Sequence, residues 1–243
     1  MPVRLKAFFL HLGVSGIIAV LALLLVFKLW YPEPLHTAVG VTHIFLLLLL
    51  IDVALGPLLT LLVYKVGKKT LVLDLTVIAM LQLSALGYGL WAVAEGRPAW
   101  LVFNADRFDL VRVLDIDPRK LERALPEYHS PSWFGPRWVS AVLPSDNAER
   151  IELMFEAALG GSDLPQHPSF YRPLADARAD IQSRSRPLAE LQGFNPVERV
   201  QAVIAQWPEA DAWLPLMAGT PMVVLLHKEN AEVLVTVDLR PWL

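Results

Sequence analysis

The chain of 243 residues is 55% hydrophobic, and its 21 Lys and Arg stand against 24 Asp and Glu. The apolar fraction exceeds the roughly 45–50% usual in soluble proteins. The part beyond residue 94 carries 15 basic and 21 acidic residues, a net charge of −6. This balance argues against nucleic acid as a partner, because phosphate binding needs clustered cations. The absence of cysteine excludes disulfides, thiolate metal sites and a cysteine nucleophile.

Three apolar stretches predict a transmembrane domain over residues 1–95, with spans at about residues 8–28, 41–64 and 71–94. Each stretch is long enough to cross about 30 Å of hydrocarbon at 1.5 Å per residue. The first is predicted to be a retained anchor and not a cleaved signal peptide. It lacks a small-x-small cleavage site and ends in Trp30 and Tyr31, which suit a membrane interface.

Lys and Arg in the short loops predict the orientation. Two cations precede the first span, three lie between the second and third, and the loop of residues 31–40 has none. The N-terminus is therefore predicted to be cytoplasmic and the domain of residues 96–243 periplasmic, in a bacterial inner membrane. The cations are Arg4, Lys6, Lys65, Lys68 and Lys69.

Asp52 and Gln82 are polar residues inside the second and third spans. Each lies about 11 residues from its end of an antiparallel helix, so both are expected roughly 16 Å deep. A polar group in hydrocarbon is a candidate for function. Two interpretations stay open: a protonated Asp52 donates a hydrogen bond to Gln82 and joins the helices, or Asp52 faces a groove that receives a partner helix.

Gly56 and Pro57 predict a kink in the second span, because proline removes a backbone hydrogen bond and leaves carbonyls for a neighbour. Gly87 in the third span is expected to permit close helix approach. The candidate residues for helix packing or contact with a partner helix are Asp52, Gly56, Pro57, Gln82 and Gly87.

The region beyond the third span has mixed short patterns that predict an α+β domain. One helix should begin after Asp146 as N-cap, with Ile151, Met154, Phe155 and Ala158 forming one apolar face. Residues 162–195 are expected to be mostly irregular. The predicted strands are residues 100–104, 108–114 and 138–143, the predicted helices are 118–125, 146–159 and 196–206, and a hairpin is predicted over 222–227 and 233–239.

This domain shows no G-x-S-x-G, no H-E-x-x-H and no Gly-rich phosphate loop, so we predict no enzymatic activity, no metal and no cofactor. Trp133 and Phe134 lie in a Pro- and Ser-containing segment that suggests an exposed aromatic loop. The loop could contact a periplasmic partner or fill a gap in its own domain.

The order of several motifs resembles the bacterial type IV pilin accessory proteins. These motifs are Tyr31-Pro32, Asp52 with Gly56-Pro57-Leu58-Leu59-Thr60, Lys68-Lys69 with Asp74-Leu75 and Gln82, Leu101-Val102-Phe103, Asp106-Arg107-Phe108 and Leu239-Arg240-Pro241-Trp242. The resemblance implies a pilin-specific assembly factor, described as a pilin chaperone, whose partner is a cognate major pilin in the inner membrane. It implies no catalytic residues, and it makes a pilin helix the expected partner of the candidate residues.

Two other functions are compatible with parts of this sequence. A membrane-anchored sensor or scaffold subunit would have the same layout and a different envelope partner. An intramembrane aspartyl protease would use Asp52 and Asp74 as a dyad, which needs the two carboxyl groups in contact. Their depths are expected to differ by roughly 13 Å, which argues against the dyad.

Overall fold

The computed structural model describes residues 2–242 and divides into two compact units. The first is formed by Met1–Trp30 and Val41–Gly96, and the second by Tyr31–Gly40 and Arg97–Leu243. The division differs from the predicted domains in one respect. The loop after the first span belongs to the second unit, because its apolar residues are buried there.

The helices and strands are numbered in chain order. The helices are α1 (Val3–Leu24), α2 (Leu35–Val39), α3 (Val41–Val63), α4 (Leu71–Glu95), α5 (Asn147–Ala158), α6 (Arg178–Arg184) and α7 (Val197–Ile204). The strands are β1 (Pro98–Asn104), β2 (Arg107–Arg112), β3 (Arg137–Ala141), β4 (Tyr171–Pro173), β5 (Arg186–Pro187), β6 (Ala212–Met217), β7 (Met222–His227) and β8 (Glu232–Val237).

The first unit consists of α1, α3 and α4, which are long and apolar enough to cross a membrane. A π-helical turn, Leu25–Trp30, extends α1 to 28 residues. α3 packs against both α1 and α4. Phe27, in the π-helical turn, makes an edge-on ring contact with Phe45 of α3. These helices, followed by a sheet-containing domain, confirm the predicted fold class.

The second unit is built on one mixed sheet in the order β4-β3-β1-β2-β6-β7-β8, with β5 beside the start of β6. β1 pairs with β2 in antiparallel and with β3 in parallel orientation. A short parallel pairing of β2 with β6, which places Phe108 opposite Leu216, joins the two halves of the sheet.

Both faces of this sheet are covered, so β1, β6 and β7 are buried except at their last residues, while β2 is half-buried at most of its positions. Because successive side chains point to opposite faces, Leu101 and Leu214 enter one core while Trp100 and Trp213 enter the other side. The short helices α2 and α6 contribute to the first core, and α7 contributes Val200 to the opposite face.

α2 is fixed to the sheet by apolar packing and by one main-chain hydrogen bond. Leu35 and Ala38 are buried in the core that contains Leu101 and Leu216. The backbone N–H of Thr220 donates to the carbonyl of Ala38 at 2.8 Å. Residues 31–40 are therefore an integral part of the α+β domain.

Several predicted elements differ from the structure. Residues 118–125 form only a single 3-10 turn, Leu121–Arg123, where a helix was predicted. Residues 162–195 contain α6, β4 and β5 among turns. β6 was not predicted, and it carries Pro215, a residue that is rare in a paired strand because it cannot donate to the ladder.

The predicted α5 is present, and Asp146 caps it by accepting a hydrogen bond from the N–H of Ala148 at 3.1 Å. Its apolar face does not enter the core. Ile151, Met154 and Phe155 are exposed, and Leu153 is the buried residue of the helix.

Candidate functional site

A groove of about 580 Å³ runs between α3 and α4 within the first unit. Its lining is apolar except for Asp52 and Gln82, so the two polar residues singled out in the sequence lie in one groove. Aliphatic side chains make up the rest of its wall. The lining residues are Ile44, Leu47, Leu48, Ile51, Asp52, Leu55, Leu59, Ile78, Leu81, Gln82, Ala85 and Leu86.

Asp52 and Gln82 are joined in a way that the sequence did not predict. Gln82 Nε2 donates a hydrogen bond to the main-chain carbonyl of Asp52 at 2.9 Å. The expected bond between the two side chains is not formed. This hydrogen bond between the helices therefore uses the Gln82 side chain and the main chain of Asp52, and not the Asp52 carboxylate.

This hydrogen bond fixes the orientation of the Gln82 amide, because its nitrogen must face the Asp52 carbonyl. The other atom of the amide, Oε1, is buried and accepts no hydrogen bond from residues 2–242. Within the same range, the Asp52 carboxylate has no hydrogen-bond or ion-pair partner. The described chain thus leaves two acceptors unused: Gln82 Oε1, which is buried, and the carboxylate of Asp52, a residue that lines the groove.

Gly56 makes room for the Gln82 side chain. A Cβ atom on Gly56 would overlap the terminal amide of Gln82. Pro57 is buried beside it, inside α3. The carbonyl that proline leaves without its usual helical partner is that of Val53, four residues earlier, whereas Gln82 binds the carbonyl of Asp52.

Gly87 does not lie at a close helix contact. It is exposed, and a Cβ placed on it would meet no atom within 4 Å. The close approach occurs instead at Gly89, where a Cβ would overlap the end of the Leu48 side chain. Gly89 lies two residues from Gly87 in α4, and the sequence alone could not show which of the two meets α3.

Polar contacts also join α1 to α3. His11 Nδ1 and Thr60 Oγ1 are 2.7 Å apart and share a hydrogen bond. Arg4 Nε donates to the carbonyl of Tyr64, just beyond the end of α3, where helix carbonyls lack internal partners. His11 also interacts electrostatically with Asp52. These hydrogen bonds join the first half of α1 to the C-terminal end of α3.

Asp74 lies in an ion pair at the start of α4. Lys68 Nζ is 2.6 Å from Asp74 Oδ2, and Thr70 donates a hydrogen bond to the same oxygen at 3.2 Å. This carboxylate is already neutralised. Asp52 and Asp74 therefore do not show the shared proton that an aspartyl protease dyad requires.

The aromatic loop of the second unit contains two side chains in different settings. Trp133 lies under the guanidinium of Arg97, whose Cζ is 4.0 Å from the ring centroid. Phe134 is 81% exposed and borders a cleft of about 270 Å³ that Trp138 and residues of β8 also line. Trp133 packs on its own domain, and Phe134 stays a candidate contact residue.

A charged cluster that the sequence did not reveal centres on Asp117, which is buried. The Arg119 backbone N–H and Nε donate to its carboxylate at 2.8 and 3.0 Å, and Ser162 Oγ donates at 2.6 Å. The hydrogen bonds from Arg119 hold the pKa of Asp117 well below its usual range. Burial lowers the pKa of His167, whose Nδ1 lies 4.0 Å from Asp117.

No group of three or more metal-ligating side chains occurs among the residues that the structure describes. The three helices of membrane-spanning length and the separate α+β unit define the class: a membrane protein with three apolar helices and a folded α+β domain. Its most distinctive site is the polar pair in the groove between α3 and α4.

Comparison with known proteins identifies the family. The family model described as fimbrial assembly protein FimB matches residues 1–40. A fimbrial assembly protein of Dichelobacter nodosus, serogroup E1, is 32% identical over 240 residues, which cover 95% of this chain and 93% of that protein. The serogroup I protein of the same organism is 33% identical over 74% of this chain and 71% of its own length. No solved structure matches.

The chain therefore belongs to the fimbrial assembly protein family, a family of accessory proteins for type IV pilus assembly.

Proposed function

We propose that this protein is a membrane chaperone that binds the transmembrane helix of its cognate major pilin in the groove between α3 and α4. The groove lies between two membrane-length helices and is apolar over most of its wall. A pilin awaiting assembly presents one long apolar helix, which such a groove suits. In this account the protein acts by holding the subunit, without a covalent step.

The observation that carries the proposal is the pair of unused acceptors, the Asp52 carboxylate and Gln82 Oε1. Hydrophobicity does not distinguish a partner helix from lipid, so specific binding in a membrane needs packing and hydrogen bonds. Lipid tails offer no donor to these two oxygens. A helix that carries a hydroxyl or amino group at this depth could donate to the Asp52 carboxylate, which lines the groove, and this favours a protein partner over lipid.

We also propose that the N-terminus is cytoplasmic and the α+β domain periplasmic. Residues 31–40 and 97–243 fold into one unit, so they must lie on one side of the membrane. α3 and α4 lie between these two segments in the chain, and two crossings return the chain to the side from which it started. The cations of residues 65–69 favour the cytoplasm for the opposite side. A periplasm-dependent reporter should be active after residue 242 and inactive at Gly67, and the reverse pattern would invert the topology.

The binding proposal is tested by photocrosslinking from α4 in living cells. A photoreactive amino acid at Leu81, which lines the groove, should capture the cognate pilin. The control position is Leu83 on the same helix, which is exposed and does not line the groove. Equal capture at both positions, or none at Leu81, would contradict the proposed site.

The biological role is tested by deleting the gene. We expect fewer surface pili and a smaller pool of membrane pilin, with both restored by the intact gene. Normal pilin levels and normal surface pili in the deletion strain would contradict the proposal that this protein is a pilin chaperone.

A further inference from the structure

β8 is an edge strand of the mixed sheet, and its outer edge is open. On its inner side it pairs with β7 between Glu232 and Val237. Among residues 2–242, the main chain of residues 233–236 has no hydrogen-bond partner outside this ladder. Because the N–H and C=O groups of alternate residues face opposite edges of a strand, β8 presents a row of unpaired main-chain groups.

The edge of β8 lacks the usual protection against pairing with another chain. Natural edge strands are kept short, carry Pro or charged side chains, or are covered by another element. β4, at the opposite end of the sheet, has three residues and ends in Pro173. β8 has six residues, and residues 233–236 include no charge and no proline. The contrast indicates that the edge of β8 is available to a further strand.

Two clefts, of about 300 and 270 Å³, border β8 and have Val233 in common. Residues 231–233 line the first cleft, and residues 233–236 line the second. Successive side chains of a strand point to opposite faces. A cleft lined by four successive residues therefore borders the edge of the strand and not one face alone. The two clefts together, which follow β8 from residue 231 to residue 236, are called the β8 groove.

The other wall of the β8 groove comes from the opposite half of the same sheet. Trp138 of β3 lines the second cleft, and Leu174, directly after β4, lines the first. β3 and β4 stand at the end of the strand order farthest from β8. Phe134, which is 81% exposed, also lines the second cleft. An added strand beside β8 would therefore lie in the gap between the two ends of the sheet.

The main-chain groups of β8 determine what kind of molecule suits this groove. Unpaired N–H and C=O groups at the spacing of a strand are matched by a second extended main chain. Lipid tails offer no such groups, and the main chain of a helix uses its own internally. Trp138, Leu174 and Phe134 give the groove apolar contacts for side chains. The ligand is therefore an extended peptide segment with apolar side chains.

A second copy of this chain does not fit the groove. Its β8 lies beside its own groove wall, so it cannot enter the groove of another copy as a free strand. In an antiparallel pair centred on Val235, Glu232 of each copy would also lie opposite Asp238 of the other, and like charges directly opposite are destabilising. β4 is short and carries Pro173, which cannot donate to a ladder. These features favour a different protein as the source of the strand.

We propose that the β8 groove binds an extended segment of the cognate pilin, from the part of the pilin outside the membrane, as an added strand along β8. The proposal rests on the proposed function, because it takes the same pilin as partner. It adds a contact in the α+β domain to the contact in the groove between α3 and α4. Phe134 covers an apolar side chain of the bound segment.

The first test places a photoreactive phenylalanine analogue at Phe134 in the full-length protein in cells and detects crosslinked pilin with an antibody. Pilin should be captured at Phe134 and not at Phe155, an exposed phenylalanine of α5 that does not line the groove. Capture from Leu81 is scored in parallel. Capture at Leu81 without capture at Phe134 would overturn this inference alone, and no capture at either position would overturn the proposed function as well. Crosslinks from Phe134 to a second copy or to lipid, in place of pilin, would also overturn the inference.

A pair of matched variants tests the placement of the bound segment. Phe134→Ala should lower capture from a photoreactive group at Glu33, an exposed residue that lines the same groove, about tenfold. Phe155→Ala should leave this capture unchanged. Because Phe134 and Phe155 are both exposed, neither change should alter protein abundance. Equal capture in the two variants would contradict the placement of the segment against Phe134.

Hydrogen exchange tests whether the segment is bound as a strand. The purified full-length protein is compared in detergent with and without the purified cognate pilin. Amides of residues 232–237 that face the open edge should exchange about tenfold more slowly with pilin, because they gain hydrogen bonds. Amides of α7 should exchange at the same rate in both samples. Capture at Phe134 without slower exchange in residues 232–237 would overturn the pairing along β8.

Discussion

Gln82 Nε2 donates a hydrogen bond to the main-chain carbonyl of Asp52 at 2.9 Å, so this bond does not use the Asp52 carboxylate, which has no hydrogen-bond partner among residues 2–242. An aspartate that served only to join α3 to α4 would be expected to use its side chain. The glutamine performs the joining, so the carboxylate is available for another molecule.

Gly56→Ala should weaken the contact between α3 and α4. The added Cβ overlaps the Gln82 amide, which must move and lose its hydrogen bond to Asp52. Such bonds in membranes contribute about 0.6 kcal/mol on average and at most about 1.7 kcal/mol. We expect a lower melting temperature in detergent. Gly87→Ala is the matched control, since its Cβ would meet no atom within 4 Å. Equal effects of both changes would contradict this account of the helix contact.

Leu35→Ala should destabilise the α+β domain although the residue lies between the first two spans in sequence. Leu35 is buried in the core with Leu101, and deleting a buried leucine side chain to Ala costs about 2 to 5 kcal/mol. Thr37→Ala, on the exposed side of α2, should cost far less. Thermal unfolding of the purified protein, followed by proteolysis of the domain, measures the difference. An unchanged domain in Leu35→Ala would show that α2 does not stabilise it.

The stability of the α+β domain should fall as the pH is lowered below about 6.5. The pKa of His167 lies below its ordinary value of 6.5 because the ring is buried, and the pKa of Asp117 lies below 3.8 because Arg119 donates to it. At these two groups the folded state therefore binds fewer protons than the unfolded state, so their protonation in acid favours unfolding. Burial raises the pKa of Asp109, which acts in the opposite direction and only in the range where carboxyl groups titrate. The groups acting electrostatically on His167 are Asp117, Glu156, Arg119 and Lys120.

His167→Asn should flatten the upper part of this pH dependence, near the ordinary pKa of histidine, and leave the loss at lower pH that Asp117 causes. Melting temperatures at a series of pH values test the prediction. A wild-type protein whose stability rises as the pH falls from about 7.5 to about 5 would have the opposite sign and would contradict it.

Hydropathy was sufficient to predict the three membrane-length helices, because a span must be apolar throughout its length. The strands β1, β7 and β8 were also recognisable from runs of apolar residues. β6 was missed because Pro215 interrupts its run of strand-forming residues. α2 was missed because five residues are too few to show the helical repeat of apolar side chains.

For the groove between α3 and α4, the sequence predicted which residues lie close together but not which of their atoms form hydrogen bonds. Depth alone brought Asp52 and Gln82 together, and the structure places both in one groove. Which atoms bond could not be deduced, since the choice depends on the space that Gly56 leaves for the amide. The outward face of α5 was equally hidden, because the ion pairs that orient it join residues about 30 positions apart.

The most direct test of the central claim is Asp52→Asn, with protein abundance and surface pilus number scored in the same cells. Asn keeps the size of the side chain and the main-chain carbonyl that Gln82 binds, so the helix contact and the abundance should be unchanged. It removes the negative charge and replaces one acceptor oxygen by a donor. We predict fewer pili and weaker capture of pilin from Leu81 at normal abundance. Normal pilus number at normal abundance would contradict the claim that the Asp52 carboxylate binds the pilin helix.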